Sequence, residues 1–494
     1  MLEWLKRHVW KACGRLKRLQ GSNPCLSAKP SPVHCAGLFL ESMKARRIIR
    51  IVLAVLVAAI LAGCLYLNSL MCIITGYAAK NLCSAVFVSG RAQHDVENLD
   101  LDFSFIKYNR NKVDYDNKTV TSRFLWGKST AAYRDGYGVT LLRGKTAKEL
   151  AREEYPLPAE PACDPDTVLW PGGNMIPDDI RERDIETALE PLAASFVDDH
   201  AYNGTPFAFV VLHKGIPVAE RYREGIGRST PLLSWSMAKS FTNALAGIMA
   251  GDGLVDVNAP MDIPEWQGDG RKDITLNDLM QMQSGLEWNE DYGNRSDVNL
   301  MLHREKDMGL YAQSKPLGHE PGTFWYYSSG NTNILMRYLR GRFSSDEEFL
   351  GYMRDRLFTP LGIRNPRFEP DMSGTPVASS YLYATALDFA RFGLLYLQDG
   401  CAGGERILPE GWVGYSATPA SCSEGKYGSG FWLNRDGHYA DVPSDMFSCN
   451  GHDGQQIFII PSKELVVVVL GYSPKPDRVI DFNRLLRDII GIVG

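Results

Sequence analysis

Ser236-Met237-Ala238-Lys239-Ser240-Phe241-Thr242-Asn243-Ala244-Leu245-Ala246-Gly247-Ile248-Met249 decides how this chain is read, because it joins a chemical pair to a helix. Phe241, Ala244, Leu245, Ile248 and Met249 recur at helical spacing until Gly251-Asp252-Gly253 stops the pattern. Ser236 and Lys239 stand three positions apart at its start, and so share one face. A serine hydroxyl is a weak nucleophile at its free pKa, and a neighbouring amine can activate it. The same S-x-x-K spacing recurs at Ser104 with Lys107 and at Ser423 with Lys426. The first lies in Leu101-Asp-Phe-Ser-Phe-Ile, whose alternation reads as strand, and the second lies in a Ser-Glu-Gly-Lys loop. Only Ser236 and Lys239 are expected to be held on one helical face.

Outward from this helix, two strands are expected at Phe207 to His213 and Pro217 to Tyr222, joined by the tight turn Lys214-Gly215. Two more are expected far along the chain, at Gln456-Ile-Phe-Ile-Ile and Leu465 to Leu470, around Pro461-Ser-Lys-Glu. An amphipathic helix carries Ile185, Leu189, Leu192, Ala193 and Phe196, and a closing helix runs from about Arg478 to Ile490. Strands at both ends with helices between them imply an α+β fold, with one antiparallel sheet formed by both ends of the domain and flanked by helices. The helix-rich stretch Thr275 to Gly400 is a helical insertion beside it.

The N-terminal region is of another kind. No charged residue occurs from Ile51 to Ala79, which is long enough for a transmembrane helix. Lys44, Arg46, Arg47 and Arg50 precede the run, so the positive-inside rule leaves the N-terminus in the cytoplasm and exports the chain beyond the helix. The expected organisation is a basic segment (1–47), a signal anchor (48–75), an extracytoplasmic lead segment (76–180) and the main domain (181–494). Leu61-Ala-Gly-Cys64 gives a second reading, a lipoprotein anchored at Cys64. The apolar run from Leu65 to Ile74 suits an uncleaved single-pass anchor better. Translation from Met1 or from Met43 is compatible with either.

The 494 residues carry a net charge of -5, which gives no overall basic field for nucleic acid. The ten cysteines form no C-x-x-C pair and no His/Cys cluster at metal spacing, so no metal site is expected.

A second motif lies at Tyr326-Tyr327-Ser328-Ser329-Gly330-Asn331, where a turn passes into a helix from Thr332 to Arg340. A third is His452-Asp453-Gly454-Gln455, just before a strand, and Ser284-Gly285-Leu286 follows Leu279-Met-Gln-Met. In this order the motifs resemble those of serine hydrolases of the class C β-lactamase and penicillin-binding-protein superfamily. The Tyr-Ser-Ser-Gly-Asn form is similar to the 6-aminohexanoate-dimer hydrolase-like branch. The resemblance covers roughly residues 180 to 490 and implies a β-lactamase/transpeptidase-like fold, with catalysis by Ser236, Lys239 and Tyr327.

Tyr327 has an ordinary pKa near 10, which a neighbouring ammonium would lower. Tyr327, assisted by Lys239, is therefore expected to take the Ser236 proton and return it to the leaving group. By resemblance, the backbone N–H groups of Ser236 and Gln455 form the oxyanion hole. His452 and Gly454 are expected to face substrate on an edge strand. Trp288, Trp325 and Tyr381 are candidates for the wall of an apolar acyl pocket, although aromatic residues are more often core. His452 stands where a Lys-Thr-Gly motif would supply a permanent charge for a carboxylate, which favours small esters or amides over β-lactams. Three functions remain open: an ester or amide hydrolase working through a Ser236 acyl-enzyme without cofactor, a DD-peptidase or β-lactamase, and a non-catalytic envelope binding or scaffold protein.

Overall fold

The computed structural model describes residues 32–153, 164–474 and 478–494. The basic segment before residue 32 and the prolines at 156, 158 and 161 lie outside them. The chain divides into two units, residues 1–67 and 68–494.

Helix α1 (Pro32–Phe87) supplies all the described structure of the first unit. From Ile48 to Tyr66 its side chains are exposed and almost wholly apolar. By length and composition, the stretch Arg46–Phe87 is sufficient to cross a membrane. In the second unit the same helix is buried from Met71 onward, so it continues past the expected end of the anchor at residue 75. Lys80, which reads in sequence as the first positive charge after a span, is buried in an ion pair with Glu369.

Four short strands follow: β1 (Arg110–Asp114), β2 (Thr119–Phe124), β3 (Gly127–Arg134) and β4 (Gly138–Leu141) form an antiparallel meander. One face of it packs on α1, where Thr75 Oγ1 lies 2.7 Å from Ser129 Oγ. Glu369 ties this lead segment to the main domain. Its carboxylate accepts the Val139 N–H at 2.7 Å and the Ser84 hydroxyl at 3.0 Å, besides pairing with Lys80.

Helix α2 (Arg183–Val197) opens the main domain, followed by β5 (Pro206–His213), β6 (Ile216–Tyr222) and the short β7 (Leu232–Leu233). Then come α3 (Ala238–Gly251), α4 (Ser329–Arg340), β8 (Arg367–Phe368), β9 (Leu382–Ala384) and α5 (Ala386–Leu397). Strands β10 (Trp432–Leu433), β11 (Phe447–Asn450), β12 (Gln456–Ile460) and β13 (Leu465–Gly471) precede the last helix, α6 (Phe482–Val493).

The main sheet has the order β10-β11-β12-β13-β5-β6, every pair antiparallel, so the two ends of the domain meet where β13 pairs with β5. Alternation decides what each face holds. Val210, Leu212, Val466 and Val468 join the core that contains α3 and α5, whereas Phe209, Val211, Val467 and Val469 join the core of α2 and α6. Both faces are covered, which explains why β5 and β13 read as unbroken apolar runs. One expectation fails. Strand β12 is hydrogen-bonded on both sides, by β11 and β13, so His452 and Gly454 sit in a turn at the end of two interior strands and not on an edge strand.

Removing one member of a buried ion pair strands the other charge, at a cost of about 3–5 kcal/mol. Glu369→Gln is therefore expected to destabilise the chain by about that amount in urea unfolding. A loss below about 1 kcal/mol, the size of an exposed pair, would show that the Lys80 contact holds nothing together.

Candidate functional site

Strand β7 pairs with β9, and the Ser234 N–H donates to the Leu382 carbonyl at 2.8 Å, which fixes the chain just before the nucleophile. Trp235 then takes a left-handed φ of 45°, a costly conformation for a bulky residue. Aromatic neighbours on three sides hold it there: Tyr77, Tyr381 and His452, with ring centroids 6.2, 6.0 and 5.6 Å away. Ser236 sits in the resulting 3-10 turn, Trp235–Met237, that leads into α3.

Lys239 lies on the first turn of α3 and is 3% exposed. Its Nζ stands 2.9 Å from Ser236 Oγ, 3.2 Å from Ser329 Oγ and 3.0 Å from the Ser379 carbonyl oxygen. Burial lowers its pKa from the ordinary 10.5 to about 8, with the Glu290 carboxylate pulling the other way. About one molecule in ten then carries a neutral amine at pH 7.

Tyr327 precedes Ser328, whose hydroxyl caps α4 by accepting the Asn331 N–H at 3.2 Å. Its side chain reaches Ser236, and Lys239 Nζ lies 4.8 Å from the centroid of its ring. Tyr326 is exposed and its hydroxyl accepts the Glu290 N–H, so the register places only Tyr327 at the nucleophile. Burial raises the Tyr327 pKa, the opposite of the lowering expected from its lysine neighbour. The reason is order of titration. Lys239 loses its proton first, so no cation remains beside the phenol at the pH where the phenol would ionise. Tyr427 and Trp432 wall its ring, with centroids 5.9 and 5.2 Å away.

Glu290, Ser329 and Tyr292 were not legible as site residues. The Glu290 carboxylate accepts the Ser329 N–H at 2.9 Å and the Ser329 hydroxyl at 2.5 Å, at the N-terminus of α4. It also accepts the Trp288 indole N–H at 2.5 Å and the Tyr292 hydroxyl at 3.2 Å. The row Ser236–Lys239–Ser329–Glu290 is thus continuous by hydrogen bonds. Glu290 sits in a loop without local periodicity; its only sequence signal is proximity to the Ser284-Gly-Leu landmark, where Ser284 Oγ bonds Asn331 of α4 at 2.9 Å.

The remaining expected residues divide. His452 is half exposed, stacks on Tyr292 at 5.1 Å and lies 3.2 Å from Asp453 Oδ1. Gly454 has φ 88°, a conformation that favours glycine. A Cβ on Gly451 would lie 2.3 Å from the Ser234 carbonyl oxygen, so bare glycine lets this turn press against the nucleophile turn. The Gln455 side chain is occupied by the Gly471 backbone, its amide nitrogen 2.6 Å from the Gly471 oxygen, so only its backbone N–H is left to meet a substrate. Trp288 is half buried and orients Glu290. Tyr381 is a correction: it is 1% exposed, with Lys80 Nζ 3.9 Å from its ring centroid, and belongs to the core and not to a pocket wall.

The beta-lactamase family model matches residues 192–489, most of the second unit and the whole of this site. The chain belongs to the beta-lactamase family. Among curated relatives, the 6-aminohexanoate-dimer hydrolase of Paenarthrobacter ureafaciens is 26% identical over 309 residues, covering 55% of this chain and 73% of that protein. Two solved structures share the beta-lactamase fold at a TM-score of 0.50. One is a family VIII carboxylesterase, 17% identical, covering 64% of this chain and 99% of its own. The other is EstCE1, a hydrolase with promiscuous acyltransferase activity, 15% identical, covering 62% and 99%.

If the neutral Lys239 amine activates Ser236, labelling by a fluorophosphonate should rise with pH through a midpoint of about 8. Glu290 raises that pKa, so Glu290→Gln should move the midpoint down. Stopped-time labelling across pH checks both; an unmoved midpoint would remove Glu290 from the row.

Proposed function

We propose that this beta-lactamase-family chain is a serine hydrolase that cleaves small esters or linear amides through an acyl-enzyme on Ser236. The observation that carries this reading is the 2.9 Å contact between the buried Lys239 amine and Ser236 Oγ, with Tyr327 beside them. The neutral amine takes the Ser236 proton as Oγ attacks the carbonyl carbon. The backbone N–H groups of Ser236 and Gln455 hold the developing oxyanion. Tyr327, kept neutral by burial, donates its phenolic proton to the leaving group and recovers one from the Lys239 ammonium. Water then attacks the ester, with the same groups acting in reverse.

Linear amides enter through the name of the curated relative, and esters through the half-exposed His452, which offers no permanent cation to a substrate carboxylate. A fluorophosphonate should label Ser236 and not Ser236→Ala. Turnover of p-nitrophenyl esters should fall at least about a thousandfold in Ser236→Ala, and turnover of linear amides, whose leaving amine needs a proton, about a hundredfold in Tyr327→Phe. A long-lived adduct with labelled penicillin, without ester turnover, would favour the DD-peptidase reading instead.

We further propose that the exposed apolar stretch Ile48 to Tyr66 is a single-pass anchor, with the catalytic unit outside the cytoplasm. Cys64→Ser should stay in the membrane fraction after alkaline extraction. Its release would favour the lipoprotein reading.

A further inference from the structure

The β2–β3 hairpin closes with a two-residue turn, Leu125-Trp126, between the paired residues Phe124 and Gly127. Leu125 adopts a left-handed φ of 49° and is 63% exposed, and Trp126 is 56% exposed. Turn chemistry calls for glycine, asparagine or aspartate at such a position, and water disfavours both side chains found there. Phe105, 51% exposed, enlarges the apolar tip by lying 6.1 Å from Phe124, ring centroid to ring centroid.

The tip stands where the chain enters the second unit. Trp126 Nε1 donates to Asn68 Oδ1 at 2.8 Å, and a Cβ on Gly127 would lie 2.9 Å from Met71 Cβ. Asn68 is the first residue of this unit and lies two residues beyond Tyr66, where the exposed apolar stretch of α1 ends.

Charge accompanies the apolar tip. In the meander Arg110 pairs with Arg123, and Arg123 pairs with Lys128, so three cations stand opposite one another across three strands. All three are exposed, and among the described residues none forms an ion pair. Directly opposed like charges destabilise a sheet unless an external anion compensates them. Their neighbours on the other face, Asn111, Ser122 and Ser129, turn inward, and Ser122 Oγ bonds Asn111 Oδ1 at 2.6 Å. The basic residues therefore form the outer face of the meander that carries the hairpin.

We propose that this hairpin is a second membrane contact. Leu125, Trp126 and Phe105 enter the bilayer interface, and Arg110, Arg123 and Lys128 meet anionic lipid headgroups. Tryptophan at the headgroup level and basic side chains against anionic lipid are the chemistry such an interface takes up. The inference rests on the anchor reading of α1. Its consequence is that the catalytic unit is held against the membrane surface and does not swing freely from its tether.

The test uses the full chain in vesicles. The emission difference between the wild type and Trp126→Phe isolates the signal of Trp126, and vesicles containing brominated phosphatidylglycerol should quench that signal at least twofold. Arg110→Gln/Arg123→Gln/Lys128→Gln should relieve the quenching in these vesicles and change nothing in brominated phosphatidylcholine. A chain that floats with the vesicles but keeps an unquenched Trp126 signal overturns the hairpin contact alone. Equal quenching of the triple variant in anionic vesicles overturns the role of the basic residues. A chain that does not float with vesicles overturns the anchor reading, and the hairpin contact with it.

Discussion

Burial of the Lys239 ammonium is the constraint on which the site depends. A lysine on the first turn of a core helix, with two hydroxyls and one carbonyl as its hydrogen-bond partners, has lost most of its hydration. Neutralisation near pH 8 is the response, and it leaves an amine at hydrogen-bond distance from a serine hydroxyl, as the proposed mechanism requires. The same burial keeps Tyr327 protonated, so the two groups differ in role because their protons leave in a fixed order. Glu290 limits the effect. Without a carboxylate behind Ser329, the lysine would be neutral over a wider range and less able to hand its proton back.

The scaffold keeps these groups close through contacts far apart in sequence. Strand β13 closes on β5, the turn after β11 presses Gly451 onto Ser234, and β9 holds the nucleophile turn from the other side. Tyr381 lies two residues beyond Ser379, whose carbonyl accepts the Lys239 amine, and Lys80 sits over the Tyr381 ring. Since Lys80 belongs to α1, the helix that carries the apolar stretch also supports the floor of the site. The lead segment is thus structurally part of the hydrolase unit, and Glu369 and Arg143 each join helix α1, the meander segment and the main domain.

Much of this is legible in the sequence itself. Helical spacing after Ser236 separated it from Ser104 and Ser423, although Ser104, expected in a strand, stands in a turn with φ 44°, and unbroken β-branched runs marked the central strands. The position of Tyr327 followed from the motif, and Tyr326 does turn away from the nucleophile. What was not legible depends on desolvation and long-range pairing. Lys80 read as the first positive charge after the anchor because its partner, Glu369, lies hundreds of residues away. Tyr381 looked like pocket wall because an aromatic residue in a motif carries no sign of its depth. The direction of the Tyr327 shift required knowing that Tyr327 itself is buried, and Glu290 required the fold of a loop without periodicity. The position of β12 inside the sheet came from β11, a strand of four residues too short to show a pattern.

Direct titration of Lys239 tests the central claim. With lysine Cε and Nζ isotopically labelled in the full chain in detergent, the resonance absent from Lys239→Arg belongs to Lys239, and its chemical shift reports the proton. A midpoint at about 8 is expected. A midpoint at the ordinary lysine value near 10.5 would mean that Lys239 remains an ammonium through the working range, and would take from it the part of the base that activates Ser236.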